Sequence, residues 1–124
     1  MKELLEAKRH LTNARDILSD KARKENGYYQ DRKYVKMAGH TAYAGVLVAL
    51  DSVLGDKKRG RKSVEWYKEE LGRQDKKILS AFLAAYDTLH LAMSYDGNLN
   101  SKVATAGLED AEKIIAWVEQ KAQA

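Results

Sequence analysis

From Met37 to Leu50 the chain runs fourteen residues without an Asp, Glu, Lys or Arg. In a protein of which 32% is charged, such a run has to be covered. It is studded with small residues, Ala38, Gly39, Ala42, Ala44, Gly45 and Ala49, which let neighbouring segments approach closely. Each Gly costs about 1 kcal/mol of helix propensity relative to Ala, so close packing is the expected compensation. Asp31, Arg32, Lys33 and Lys36 precede the run, and the whole stretch from Tyr28 to Leu54 reads as a helix, solvated at first and then covered nearly all round. Such a helix needs others around it. The chain has no Pro and eight Gly in 124 residues, a composition that favours long helices.

The partners can be read from apolar spacing. Leu4, Leu11, Ala14, Ile17, Leu18 and Ala22 predict an amphipathic helix over Lys2 to Lys24, stopped at Asn26-Gly27. Ser63 is a cap for a short helix from Val64 to Leu71, with Gly72 as its stop. Ile78, Leu79, Phe82, Ala85, Tyr86, Leu89 and Met93 form the stripe of a helix from Gln74 to Tyr95. Asp96-Gly97-Asn98-Leu99-Asn100 is a turn, and Asn100 or Ser101 caps a last helix to Lys121 with Val103, Gly107, Ala111, Ile114, Ile115 and Val118 on one face. The expected fold is therefore all-α, a single-domain antiparallel bundle of four long helices plus one short one.

Composition removes several function classes. Without Cys there are no disulfides, thiolate metal sites or cysteine nucleophiles. No run of about 18 apolar residues occurs and the N-terminal stretch is charged throughout, so the sequence predicts neither a membrane span nor a secretory signal, and a cytoplasmic location. The three His and scattered carboxylates lack metal-ligand spacing, no phosphate-cradling Gly loop is present, and no cofactor is implied. Counted from Asp96, the twelfth position of a calcium loop would be Gly107 rather than a bidentate Glu.

The stretch from Gly27 to Leu54, in which Tyr28, Tyr29 and Tyr34 lead into the small-residue run, resembles the second helix of HEPN-type bundles, the higher-eukaryote and prokaryote nucleotide-binding fold. Leu11-Thr-Asn-Ala-Arg-Asp-Ile-Leu18 resembles their first helix, and the chain as a whole is similar to a small uncharacterised bacterial family of HEPN-like proteins. The resemblance implies a homodimer, and either ribonuclease action or partnership with a minimal nucleotidyltransferase. The ribonuclease members carry an Arg followed, after four to six residues, by a His late in the chain, and this sequence has no such pair. Arg32 and His40 are separated by seven residues, and His90 has no Arg closer than Arg73.

Arg32, Lys36, His40 and Tyr43 follow one another at four, four and three residues and so share one side of a helix. With His90 they are the candidate ligand face: two cations for a phosphate, imidazoles tunable near neutral pH, and a ring with a polar tip. The bland reading has the cations in solvent and His40 and Tyr43 as packing residues. Asp87, three before His90, is placed to orient it for acid or base work, near Tyr86, Ser94 and Tyr95. The basic loop, with Lys57, Lys58, Arg59, Arg61 and Lys62, is a candidate nucleic-acid contact, since cations release counterions on phosphate, though no aromatic is interleaved for stacking. Tyr28, Tyr29, Tyr34 and Trp117 are candidates for a groove rim or a subunit contact. The sequence thus reads as a non-catalytic binding module, associated with a nucleotide, a nucleic acid or a nucleotidyltransferase. The alternatives are a ribonuclease using His40 or His90, or a homo-oligomeric protein-interaction module.

Overall fold

The computed structural model describes residues 1–55 and 60–123 of the chain. Among the described residues five helices carry the fold: α1 (Lys2–Asp16), continued as a π-helix over Ile17–Ala22; α2 (Arg32–Leu54); α3 (Val64–Gln74); α4 (Lys76–Ala85), continued as a π-helix over Tyr86–Tyr95; and α5 (Ser101–Gln123). The side-chain contacts fix their directions. Ala7 and His10 of α1 meet Gly45 of α2, while Lys8 and Arg15 of α1 reach Glu119 and Glu112 of α5. Gly39 of α2 meets Leu89 and Met93 of the second π-helix, and Gly107 of α5 meets Thr88 and Leu89. Between α1 and α5 the contacts Lys8–Glu119 and Arg15–Glu112 run in opposite senses, as do Gly39–Met93 and Tyr43–Tyr86 between α2 and the second π-helix, so these neighbours are antiparallel and the four long helices close into a ring. α3 lies at one end, with Tyr67 against Phe82.

The small residues do what their placement predicts. A methyl group on Gly39 would come within 2.6 Å of both the Leu89 carbonyl oxygen and Met93 Cβ. The backbones there are too close for any side chain. The core between the helices holds Leu50, Leu71, Phe82, Leu89, Met93 and Ile114, all fully buried. By length and composition α2 could cross a membrane; in the bundle its Val35, Ala38, Ala42, Val46, Ala49 and Leu50 are packed inside.

The structure departs from the predicted boundaries in three places. Asn26 and Gly27 (φ 53° and 84°) form the tip of a hairpin, β1 (Lys24–Glu25) antiparallel to β2 (Tyr28–Tyr29), so Tyr28 and Tyr29 stand before α2 rather than in it. Two successive left-handed residues suit a two-residue hairpin turn, and Asn-Gly is its strongest short signal. The hairpin leans on the start of α5, where Tyr29 N–H donates to the Leu99 carbonyl at 2.8 Å. α3 runs through Gly72 to Gln74 and is stopped by Asp75, whose carboxylate caps α4 by accepting from the N–H groups of Lys77 and Ile78. The third departure is the run expected to be covered all round: its outward side is not. Met37 is 45% exposed, His40 is exposed, and Ala44, Leu47 and Val48 are half-buried.

Candidate functional site

α2 and the second π-helix build one face between them. Asp31 caps α2 by accepting from Lys33 N–H, which starts the helix with Arg32 in its first turn. Arg32 then reaches across, its Nη1 donating to the carbonyls of Asp96 (2.9 Å) and Gly97 (3.1 Å). Those carbonyls close the π-helix, whose last turn is tied by the N–H groups of Gly97 and Asn98 to Met93 and Ala92. A cation over carbonyls at a helix C-terminus is favourably placed. Gly97, left-handed at φ 63°, lies directly under the Arg32 and Lys36 side chains, where a methyl group would strike the Arg32 stem.

The π-helical geometry decides which rings meet. Tyr95 lies nine positions after Tyr86, about two and a half turns of α-helix but about two turns of the wider, i→i+5 bonded helix. As an α-helix the segment would set Tyr95 opposite Tyr86; as a π-helix it brings both to one side with His90 between them. Tyr86 stacks on His90 with ring centres 5.1 Å apart at 29°, and Tyr95 meets His90 edge-on at 5.1 Å and 87°. Tyr43 of α2 packs on the same imidazole at 4.9 Å. Burial holds the His90 pKa below its ordinary value, and the neighbouring His40 lowers it further. The Tyr43 hydroxyl is pushed up to about 12 by burial and by Tyr86. Tyr95 is 67% exposed and Leu91 37%. Among the described residues, Tyr86, His90 and Tyr95 have no side-chain hydrogen bond to another residue, so their polar atoms are left to solvent.

The five candidate ligand residues thus fall into two groups. His40, Tyr43 and His90 converge, and Arg32 with Lys36 lies beyond them over Gly97. Arg32 is committed to carbonyl oxygens, while Lys36 is exposed. Asp87 does not orient His90: the wider helix turns residues three apart away from each other, and the His90 pKa moves down, not up as a carboxylate partner would require. Spacing alone missed the role of Tyr86 and Tyr95, because an α-helical wheel separates them. Their signal was the recurrence of ring residues at four and five.

Of the basic loop, Lys57, Lys58 and Arg59 lie outside the described residues. Lys62 is engaged, its Nζ 3.2 Å from Asp51 and 5.0 Å from the centre of the Trp66 ring, and Arg61 also has a partner. Tyr28 is exposed, whereas Tyr29, Tyr34 and Trp117 pack against the core edge, Trp117 beneath Lys121 Nζ at 5.0 Å. No group of three or more His, Asp or Glu among the described residues is placed to hold a metal ion. The groove between α1 and α5, lined by Leu11, Thr12 and Ile115, is bridged by the ion pairs of Lys8 and Arg15.

Known proteins frame this geometry without assigning it a chemistry. The solved structure of a protein of unknown function from Dyadobacter fermentans is similar at a TM-score of 0.94 and 57% identity, over 97% of this chain and 96% of that one. No curated protein matches. Neither of these findings bears on HEPN kinship. The model of DUF5618, a domain of unknown function, matches residues 2–120, and the chain belongs to that family.

Proposed function

We propose that this protein is a non-catalytic binding module, HEPN-like in type, that holds the base of a nucleotide or of an unpaired nucleic-acid strand against the face formed by α2 and the second π-helix. The observation that carries the reading is the column Tyr86, His90 and Tyr95, three rings on one side of one helix with their polar atoms in solvent. Stacking on such rings is worth about 1–3 kcal/mol per base and tolerates any base, because every base has a π-face. Lys36 supplies a cation at the edge of the column, and the depressed pKa of His90 keeps its ring neutral for stacking near pH 7. A partnership with a nucleotidyltransferase, and a cytoplasmic setting, fit a module that binds without reacting.

The test is a nitrogen-proton NMR titration with ATP and then with a short single-stranded RNA, at low and physiological salt. Shifts at Lys36, Tyr86, His90 and Tyr95 that persist in salt are expected, and Tyr95→Ala should weaken binding by about five- to a hundredfold. An absence of shifts with both ligands would overturn the reading.

A further inference from the structure

The outward side of α2 carries an order of its own. Lys33, Met37, His40, Ala44, Leu47 and Asp51 follow at four, three, four, three and four residues, the heptad spacing of a coiled-coil seam. This seam faces away from the bundle. Lys33, Met37, His40 and Asp51 are exposed, and Ala44 and Leu47 are half-buried. The four inner positions lie in the charge-free run, although a solvated helix face ordinarily carries charge.

The seam is also symmetric. Reversing its direction about Ala42 sets Met37 opposite Leu47, His40 opposite Ala44, and Lys33 opposite Asp51. Met37 and Leu47 are apolar and of about equal volume, His40 meets the smaller Ala44, and Lys33 and Asp51 are cation and anion, so the strip complements itself. We propose that a second copy of this chain docks on it, the two α2 helices running antiparallel about a two-fold axis level with Ala42. Two Met37–Leu47 and two His40–Ala44 contacts form the dry centre, and a Lys33–Asp51 pair closes each end. Antiparallel helices also set opposite dipole ends together. Asp51 already receives Tyr67 and Lys62, so the end pairs fix direction and register while the apolar layers supply the attachment. A one-residue slip would destroy every pairing, which is why the arrangement selects this chain as its own partner. The column of Tyr86, His90 and Tyr95 flanks the seam, and the inference does not depend on what that column binds.

The absence of Cys makes the test direct. Sedimentation equilibrium of the full chain at micromolar concentrations should report a dimer, and Ala44→Arg, which sets an unpaired charge opposite His40, should raise its dissociation constant at least about tenfold with the helical signal intact. Ala44→Cys should be joined to its mate by a short bifunctional maleimide, since the two positions lie about 6 Å apart along the seam at 1.5 Å per residue. Leu5→Cys, exposed on α1, should stay unlinked under the same conditions. A monomer throughout the range, a dimer indifferent to Ala44→Arg, or cross-linking at Leu5→Cys in place of Ala44→Cys would each overturn the proposal.

Discussion

Seven ring side chains, Trp66, Tyr67, Phe82, Tyr43, Tyr86, His90 and Tyr95, form a single run through one side of the bundle, and its two ends are finished differently. At the α3 end Tyr67 is 4% exposed and its hydroxyl donates to Asp51 at 2.6 Å. Trp66 meets Tyr67 edge-on at 5.0 Å, and Lys62 lies over Trp66 while holding the same Asp51. At the π-helical end Tyr43, Tyr86, His90 and Tyr95 are just as close to one another, yet no carboxylate closes the group. The first end has the Tyr67 hydroxyl assigned within the protein; the second leaves its hydroxyls and imidazole to water. The same residue types therefore make a structural plug at one end and an accessible surface at the other. The difference lies in the partner, not in the rings.

Phe82 joins the two ends, 5.7 Å from Tyr67 and 6.4 Å from Tyr43, and is fully buried. Phe82→Ala should give the largest effect, a loss of about 3–5 kcal/mol. Denaturant unfolding measures it. If the ends are parts of one core, the loss should also move the near-ultraviolet circular dichroism of both Trp66 and the Tyr43 cluster; a change at one end alone would break the continuity assumed in the comparison.

Removing the carboxylate that distinguishes the closed end should cost less. Asp51→Ala strands the Tyr67 hydroxyl in a buried site, and such orphaned groups cost about 1–3 kcal/mol. Adding Tyr67→Phe removes the orphan, so the double variant should be more stable than Asp51→Ala alone. Equal stabilities would mean that the hydroxyl already reaches water, and the closed end would resemble the open one. Tyr67 is 4% exposed with its hydroxyl on Asp51, and burial first and then Asp51 raise its pKa, which argues that it does not.

How much of this was legible depends on which force sets each feature. The helices were readable because burial follows apolar spacing: Leu4, Leu11 and Ala14 on α1, Leu18 on the π-helix that continues it, and Gly107, Ala111, Ile114, Ile115 and Val118 on α5, are all buried. The hairpin was signalled by Asn26-Gly27, but the same pair also ends helices, and only the contacts of Tyr28 and Tyr29 with residues 99–100 choose between the two. The π-helix was not legible. It is rare, and its stripe of Ala85, Leu89 and Met93 reads equally well as α. The site followed the same division: His40 and Tyr43 share a helix and were placed by spacing, their meeting with His90 depended on tertiary packing, and the inclusion of Tyr95 depended on the helix type. The reach of Arg32 to Asp96 and Gly97, 64 and 65 residues away, had no local signal at all.

That reach gives a sharper test of the open end. Arg32→Ala removes two donations to helix-terminal carbonyls at a partly exposed site, so the stability loss should be small, about 0.5–1.5 kcal/mol. Its effect on order should be larger than its effect on stability. Amide exchange at Gly97 and Asn98 should quicken, and the Tyr95 ring should lose its fixed position against His90 in proton NMR. Unaltered exchange there would show that the π-helix holds its own terminus and that Arg32 is free to serve a ligand.

The smallest effect separates the ends by pH. His90 has its pKa lowered in the folded protein, by burial and by His40, from an unfolded value of about 6.5. Between the two values the unfolded chain binds more protons, so stability rises with pH. The contribution is fully present above about pH 6.5 and is lost as pH falls toward and through the folded value. His90→Phe keeps a ring in the stack and removes the titration. The stability of this variant relative to the parent should therefore improve as the pH is taken from 7.5 to 5, in melting curves recorded at matched ionic strength. If the difference between the two proteins does not change across that interval, His90 ionises as readily folded as unfolded, and the open end is wetter than its packing against Tyr43 and Tyr86 implies.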